Sequence, residues 1–445
     1  MGYRAYPEMR DSGVEWIKRI PAHWHSKRLK FSVSLINEKV EAESSELSYM
    51  GLEHIESWSG KRIEDSTASS EGVATKFLPK DVLFGKLRPY LAKVHLASHE
   101  GLASTEALIL RSQPEVSAAY LRYFLVSKDF INIVDSSTYG SKMPRASWDF
   151  IGNLPMLHPS LPEQQTIARF LDHKTAQIDA LIAKKEALLQ KLAEKRTALI
   201  SQAVTQGLDP AGSMKDSGAA WLGKIPKDWK QVSLARAIVK IEQGWSPSCE
   251  ERIAASDEWG VLKSGCVNGG VFRESDHKTL PADIAPPKAL EVKAGDILMC
   301  RASGSKHLIG SVAEVETCRP QLIFSDKTYR ITLNASLVTS EFFALAMGSR
   351  YLRDQIELSI SGADGLANNI PQSSVKAYRF LAPPLAEQQA LVSSLSTRLA
   401  PMATTELAVR NAIDKFKEYR ATLITAAVTG KIDVRGAPLH AEVRP

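Results

Sequence analysis

The stretch DSGVEWIKRIPAHW, Asp11 to Trp24, returns as DSGAAWLGKIPKDW, Asp216 to Trp229. Asp11, Ser12, Gly13, Trp16, Ile20, Pro21 and Trp24 meet the same residue types at Asp216, Ser217, Gly218, Trp221, Ile225, Pro226 and Trp229, at a constant offset of 205. Self-similarity of this kind marks a duplicated structural unit. A second block starts at Glu163-Gln164-Gln165 and recurs at Glu387-Gln388-Gln389. Its far end, RTALISQAVT from Arg196, recurs as RATLITAAVT from Arg420, and the offset is 224 throughout. The segment between the blocks is therefore 19 residues longer in the second copy. Between the copied blocks only faint echoes remain, such as PKDVLFGKLRPY against KAGDILMCRASG and MPRASW against IPQSSV. The chain reads as variable insert, shared block, variable insert, shared block.

The shared blocks are long helices. From Glu163 to Thr205 there is neither Gly nor Pro, and Leu171, Ile178, Leu181, Leu188, Leu192 and Leu199 fall at heptad spacings, with Ile182 and Leu189 beside them and Lys185 and Lys195 as polar interruptions. The second block places Met402, Val409, Phe416 and Leu423 seven apart, with Leu399, Ile413 and Tyr419 alongside. Pro401 signals a kink or a late start, because proline cannot donate to the helix ladder. Prolines 159, 162, 383 and 384 precede the helices, and Gly207 and Gly430 follow them, as helix boundaries require. Since neither block carries an insertion relative to the other, the two helices are expected to pair with each other as an antiparallel coiled coil. The alternative is that each packs only on its own domain.

The inserts mix strand-like runs (DVLFGKL, EALILR, DILMC, KTYRITL) with helical ones (AAYLRYFLVSKDFI, SEFFALAMGSRYLRDQI), which implies compact α/β globules. The whole is thus an α/β (α+β) chain: insert 1–158, helix 159–207, insert 208–382, helix 383–433 and a tail 434–445, with a pseudo-twofold internal repeat. In the first insert Lys86, Arg88 and Tyr90 alternate with Leu87 and Pro89, so an extended strand would put two cations and an aromatic ring on one face. The matching place in the second insert reads Arg301-Ala302-Ser303-Gly304-Ser305-Lys306-His307, and Lys327 opens a later strand. Tyr139-Gly140-Ser141-Lys142-Met143-Pro144-Arg145 and Gly365-Leu366-Ala367-Asn368-Asn369-Ile370-Pro371-Gln372 correspond, each ahead of a helix block. Arg and Lys suit phosphate or guanine, and Asn and Gln suit adenine. The candidate DNA contacts are therefore Lys86, Arg88, Tyr90, Lys142, Arg145, Arg301, Ser303, Lys306, Lys327, Asn368, Asn369 and Gln372. Solvated strand edges and ordinary turn chemistry account for the same residues equally well.

At 445 residues, 44% hydrophobic and 24% charged, the chain has room for two or three real cores, which excludes a disordered chain. A net charge of +6 tolerates a polyanionic partner without demanding one. The first residues lack the apolar run of a signal peptide, and no stretch approaches the roughly 18 apolar residues of a membrane span, which suggests the cytoplasm. Cys249, Cys266, Cys300 and Cys318 are too far apart for a metal knuckle and read as buried free thiols. His23, His25, His54 and His95 have no ligand spacing. There is no GxxxxGK[ST] loop, no GxGxxG after a strand, and no Asn/Asp-Pro-Pro-aromatic tetrapeptide for holding a flipped base; Pro286-Pro287 and Pro383-Pro384 stand in other company. No enzyme is expected, and no cofactor or metal site in this chain.

The SGxxWxxxIPxxW openings, the GKLRPY strand, the LPEQQ and LAEQQ helix entries and the RxxLIxxAVT-type ends resemble, over essentially the whole chain, the specificity subunits of type I restriction-modification systems. The resemblance implies that the inserts are target recognition domains, each reading half of a bipartite DNA sequence, and that the helices form a coiled coil fixing the gap. It further implies that S-adenosylmethionine-binding modification subunits, two of them, dock on the helical regions and methylate adenine, while restriction subunits translocate and cleave DNA. Three alternatives stay open: the specificity subunit of a type II system with a fused restriction-methylation partner, a stand-alone DNA-binding regulator, and a protein scaffold.

Overall fold

A computed structural model describes residues 3–64, 72–140, 142–209, 211–219, 221–361 and 368–437. Ser141 and residues 365–367, from two of the loops singled out above, lie outside the described residues, as does the stretch 438–445. The chain divides into two compact units, residues 1–186 with 410–445 and residues 187–409, so the boundaries fall inside both long helices.

Each unit opens on the duplicated motif, whose residues explain themselves locally. Asp11 Oδ1 accepts from the Gly13 N–H at 2.8 Å, as Asp216 Oδ1 does from Gly218, with the two glycines at φ +70° and +72°, where a Cβ would be strained. The turn folds Met9–Asp11 back on Arg19–Pro21 in one unit and Met214–Asp216 on Lys224–Pro226 in the other, in the same register. The hairpins deliver Trp24 and Trp229 into the cores at 1% and 0% exposure.

The inserts are built alike. In the first unit, strands β1 (Val33–Ile36), β2 (Val82–Gly85), β3 (Val94–Leu96) and β4 (Ala107–Ser112) form an antiparallel sheet in the order β1-β4-β2-β3. Helices α1 (Ala118–Leu125) and α2 (Lys128–Ser136) follow. The second unit repeats the order with β5 (Ile238–Gln243), β6 (Ile297–Cys300), β7 (Val312–Glu314) and β8 (Thr328–Leu333), arranged β5-β8-β6-β7. β2 and β6 are buried along their whole length, which is why they read as unbroken apolar runs.

The long helices are α3 (Leu161–Gln206) and α6 (Leu385–Val428); the second insert supplies α4 (Ser340–Met347) and α5 (Arg350–Ser359) between them. α6 runs on through Pro401, so the late start expected there does not occur. Within the first unit the start of α3 lies along the end of α6 in antiparallel sense: Asp179 pairs with Arg420 at 3.1 Å, and Glu163 lies 3.9 Å from Arg435 beyond the end of α6. Within the second unit the end of α3 and the start of α6 share one core, in which Ile200, Ala203 and Val204 pack with Leu391 and Leu395. Between Ala180 and Leu199 the buried and half-buried positions of α3 are Ile182, Lys185, Leu189, Leu192, Arg196 and Leu199, alternating by three and four. Three residues expected at the seam fall off it: Leu181 and Leu188 on α3 and Tyr419 on α6 stand 42%, 41% and 50% exposed, one position away from the true stripe.

The repeated helix motifs grip the inserts. Gln164 accepts from the Ser117 N–H ahead of α1 and donates to the carbonyls of Glu115 and Pro159. Gln388 repeats this with the Thr339 N–H ahead of α4 and the carbonyls of Leu337 and Pro383. At the other helix ends, Thr425 Oγ1 accepts from the Lys128 N–H opening α2 and Ser201 Oγ from the Arg350 N–H opening α5, at 3.0 and 2.8 Å. Each insert is thus held by the start of one long helix and the end of the other, with orphan helix N–H groups as the points of attachment.

Candidate nucleic-acid interface

The sheet strands end where the candidate residues begin. β2 stops at Gly85; beyond it the Lys86 N–H donates to the Glu106 carbonyl, and the Ala146 N–H donates to the Lys86 carbonyl, at 2.9 and 3.0 Å. Leu87 bridges Arg145, and the Arg88 N–H donates to the Pro144 carbonyl at 2.8 Å. Two loops more than fifty residues apart therefore lie side by side and bring Lys86, Arg88, Lys142 and Arg145 together. The alternating strand expected over Lys86, Arg88 and Tyr90 does not form. Arg88 is left-handed, at φ +51° and ψ +63°, and Pro89 opens a single 3-10 turn, so the extended path breaks at the residue meant to carry the pattern. Arg88 and Tyr90 are still exposed, and Arg88 Nη2 lies 3.5 Å from the Lys142 carbonyl.

Arg145 is the best-fixed cation of this pair of loops. Its Nε lies 3.0 and 3.2 Å from the two Glu106 carboxylate oxygens, and Nη2 3.1 Å from one of them. Both side chains keep about a third of their surface open, at 35% and 27%. The Glu106 hydrogen bonds push the Arg145 guanidinium further above its ordinary value, so it stays charged. Sequence reading missed Glu106 because it sought cations and neutral polar groups, not carboxylates. The signal was present in the echo of Ser104-Thr105-Glu106-Ala107 by Ser325-Asp326-Lys327-Thr328 at the start of the last sheet strand.

The second insert uses the same backbone scheme with other side chains. β6 stops at Cys300; the Arg301 N–H donates to the Lys327 carbonyl at 2.8 Å, and the Ile370 N–H donates to the Arg301 carbonyl at 3.1 Å. Ala302 and Ser303 pair antiparallel with Asn369 and Asn368. Lys86 thus corresponds to Arg301, Glu106 to Lys327 and Arg145 to Asn369. The Arg301 guanidinium is turned inward, donating to the Tyr329 hydroxyl and the Asp326 carbonyl at 3.0 Å each. Asn368 is 6% exposed, and its Oδ1 meets no hydrogen-bond partner among the described residues. Ser303 Oγ accepts from the Ser305 N–H, Lys306 begins a short 3-10 turn, and Arg353 holds that turn by its guanidinium contacts to the carbonyls of His307 and Ile309. Gln372 opens the short helix Gln372–Ala377, away from the Arg301 loop's own pairing.

A cavity of about 370 Å³ beside Lys327 is lined by Ser246, Lys263, Ser264, Lys278, Ser325 and Lys327, which are scattered along the second insert. Lys278 pairs with Glu251; Ser325 Oγ is buried without a hydrogen-bond partner among the described residues. A larger cleft, about 770 Å³, lies elsewhere: in the first unit Trp58 and Lys61 face Asp179, Ile182, Lys417 and Arg420 of the long helices. There Lys61 pairs with Asp179 at 2.7 Å and Arg420 donates to the Trp58 carbonyl. Among the described residues no cluster of His, Cys, Asp and Glu has the arrangement of a metal site, and no helix is long and apolar enough to cross a membrane. The four cysteines are free, with burial pushing the Cys300 thiol up to about 11.

Two unlike α/β inserts on a copied pair of antiparallel helices, each ending its central sheet in the same paired loops, define a duplicated two-insert fold. By sequence the chain is a homologue of the type I restriction enzyme specificity subunits. It is 29% identical over 209 residues to the EcoEI specificity subunit of Escherichia coli, covering 47% of this chain and 35% of that protein. It is 27% identical over 378 residues to the StySPI specificity subunit of Salmonella potsdam, covering 80% of this chain and 76% of that one. Among solved structures, a chain from work on complex assembly and conformational transition of the type I R-M system superposes with a TM-score of 0.57 at 18% identity, over 92% of this chain and 98% of the other. No protein-family profile matches the chain.

Proposed function

We propose that this chain is the DNA-specificity subunit of a type I restriction-modification complex. It reads a bipartite target with its two inserts, the long helices acting as spacer, and carries no catalytic groups of its own. Methylation of adenine and cleavage belong to partner subunits: two modification subunits, which bring the S-adenosylmethionine, and translocating restriction subunits, all in the cytoplasm. The observation that carries this reading is the repeated loop pairing. The same backbone hydrogen bonds present Lys86, Glu106 and Arg145 in one unit and Arg301, Lys327 and Asn369 in the other. A fixed frame with exchanged side chains is what reading two different half-sites requires, since phosphate contacts position a protein and base edges supply the sequence.

Within it, Lys86, Arg88, Tyr90, Lys142 and Arg145 are the contacts of the first insert, and Arg301, Ser303, Lys306, Lys327, Asn368, Asn369 and Gln372 those of the second. The lysine-lined cavity beside Lys327 adds a place for a phosphate. The test is co-expression with the neighbouring modification gene and mapping of methylated adenines on plasmid DNA. A two-part motif with a fixed gap, absent when this chain is omitted, is the expected result. A stable complex with no methylation dependent on this chain would overturn the reading, and a methyl pattern reading one undivided motif would favour a different class of DNA-binding protein.

A further inference from the structure

The Glu106–Arg145 pair is an odd feature for a surface meant to meet DNA. A carboxylate there repels phosphates, and an exposed ion pair adds little to stability. The second insert has Lys327 and Asn369 at the corresponding positions and folds the same loop pair without a carboxylate. The pair is therefore dispensable for the fold of the loops. Its geometry is specific nonetheless, because Glu106 takes the Nε hydrogen and one Nη2 hydrogen of Arg145. Arginine has five donors. Three hydrogens remain, and of these one on Nη1 and the second on Nη2 point the same way along the far edge as a parallel pair, which is the pattern that matches O6 and N7 of guanine.

We propose that Arg145, held by Glu106, reads a guanine in the half-site contacted by the first insert, with Glu106 as a positioning residue. This rests on the reading of the chain as a specificity subunit. Arg145 forms the bidentate contact; Glu106 restricts the guanidinium to the orientation that makes it and acts on no base through any other route. The second insert, lacking both groups, makes no equivalent guanine contact at this place in its loop pair.

The test is the methylome of the assembled methyltransferase, with wild-type, Arg145→Ala, Arg145→Lys and Glu106→Gln chains expressed in the same host. In the wild type one half of the motif contains an obligatory guanine. Arg145→Ala should relax that position, lowering the preference for guanine roughly 10- to 100-fold. Arg145→Lys and Glu106→Gln should relax the same position by less, and every variant should leave the other half-site and the gap unchanged. A motif that keeps all its bases in all three variants would overturn the guanine contact, as would a loss of methylation that is uniform over sequences while the complex stays assembled. Should Arg145→Ala fail to assemble, the two conservative variants decide between the same outcomes. If the wild type yields no two-part motif dependent on this chain, the specificity-subunit reading itself falls, a result distinct from an intact motif that the variants do not alter.

Discussion

The two units share what holds an insert in place and differ in what the insert shows to its surroundings. Gln164 and Gln388 make the same three hydrogen bonds, Thr425 and Ser201 cap equivalent helices, and Trp24 and Trp229 fill equivalent cores. Away from these points the units part company. Lys327 stands where the first unit has Glu106, Asn369 where it has Arg145, and the latch of Lys61, Asp179 and Arg420 in the first unit has no acidic counterpart in the second, where Ala403 takes the place of Asp179. Copied residues are those whose hydrogen bonds or volume have one solution. Positions that only face outward have been free to diverge.

That comparison is most open to attack at its shared points. Trp24→Ala and Trp229→Ala should each cost about 3–5 kcal/mol, since each empties a large buried site. The loss should stay within one unit, which hydrogen exchange followed peptide by peptide would show; equal loss of protection in both units would deny that each tryptophan serves its own insert. Gln164→Ala and Gln388→Ala come next, at about 2 kcal/mol or more, because each strands a buried N–H and leaves two carbonyls without a donor. Their denaturation midpoints should fall by similar amounts. A large cost at one site and none at the other would show the grip to be unequal.

The unshared points sharpen the comparison. Arg420→Ala should loosen the first unit by about 1–2 kcal/mol, as hydrogen bonds to charged groups do, with faster exchange in residues 52–64. Arg196→Ala, at the equivalent place in the second unit, should do less. The remaining effect is one of pH. His158 is buried, donates to or accepts from Ser32 Oγ at 2.7 Å, and stacks on His25; Ala382 stands in its place in the second unit. Burial first, then the charges of His25 and Lys27, lower its pKa from 6.5 to about 4. An unfolded chain therefore binds this proton more readily than the folded one. The stability of the first unit is full above pH 6.5 and declines as pH falls towards 4, while the second unit lacks this contribution. Melting curves between those values should show the first unit losing ground, and His158→Gln should flatten that dependence; an unchanged slope in the variant would remove His158 as the cause.

How much of this was legible in the chain follows the same division. The duplicated motifs announced the copied units, the helix boundaries and the pairing of the helices, because prolines ahead of a long apolar stripe and a Gly after it have one physical reading. The seam was only half legible. Leu181 and Ile182, like Leu188 and Leu189, are adjacent apolar residues, and spacings of three and four from Ile178 fit a helix equally well. Only the partner helix selects the second of each pair. The loop at Lys86 to Tyr90 failed as a strand because a left-handed residue before a proline leaves no mark on a two-residue pattern. Glu106 escaped because the reading of a DNA surface looked for cations and for neutral polar or aromatic groups, and passed over carboxylates.

The way Gly430 seats against Pro21 and Trp24, where a Cβ would come within 2.3 Å of Pro21, bears on how the protein is made. The second unit is contiguous, residues 187–409, whereas the first cannot close until residues 410–430 have left the ribosome. At ordinary rates of elongation the first insert waits on the order of ten seconds or more for its missing helix, with the core around Trp24 open to water and to chaperones. Translation order thus completes the later insert first, and a nascent chain stopped short of Arg420 would carry one finished insert and one unfinished one.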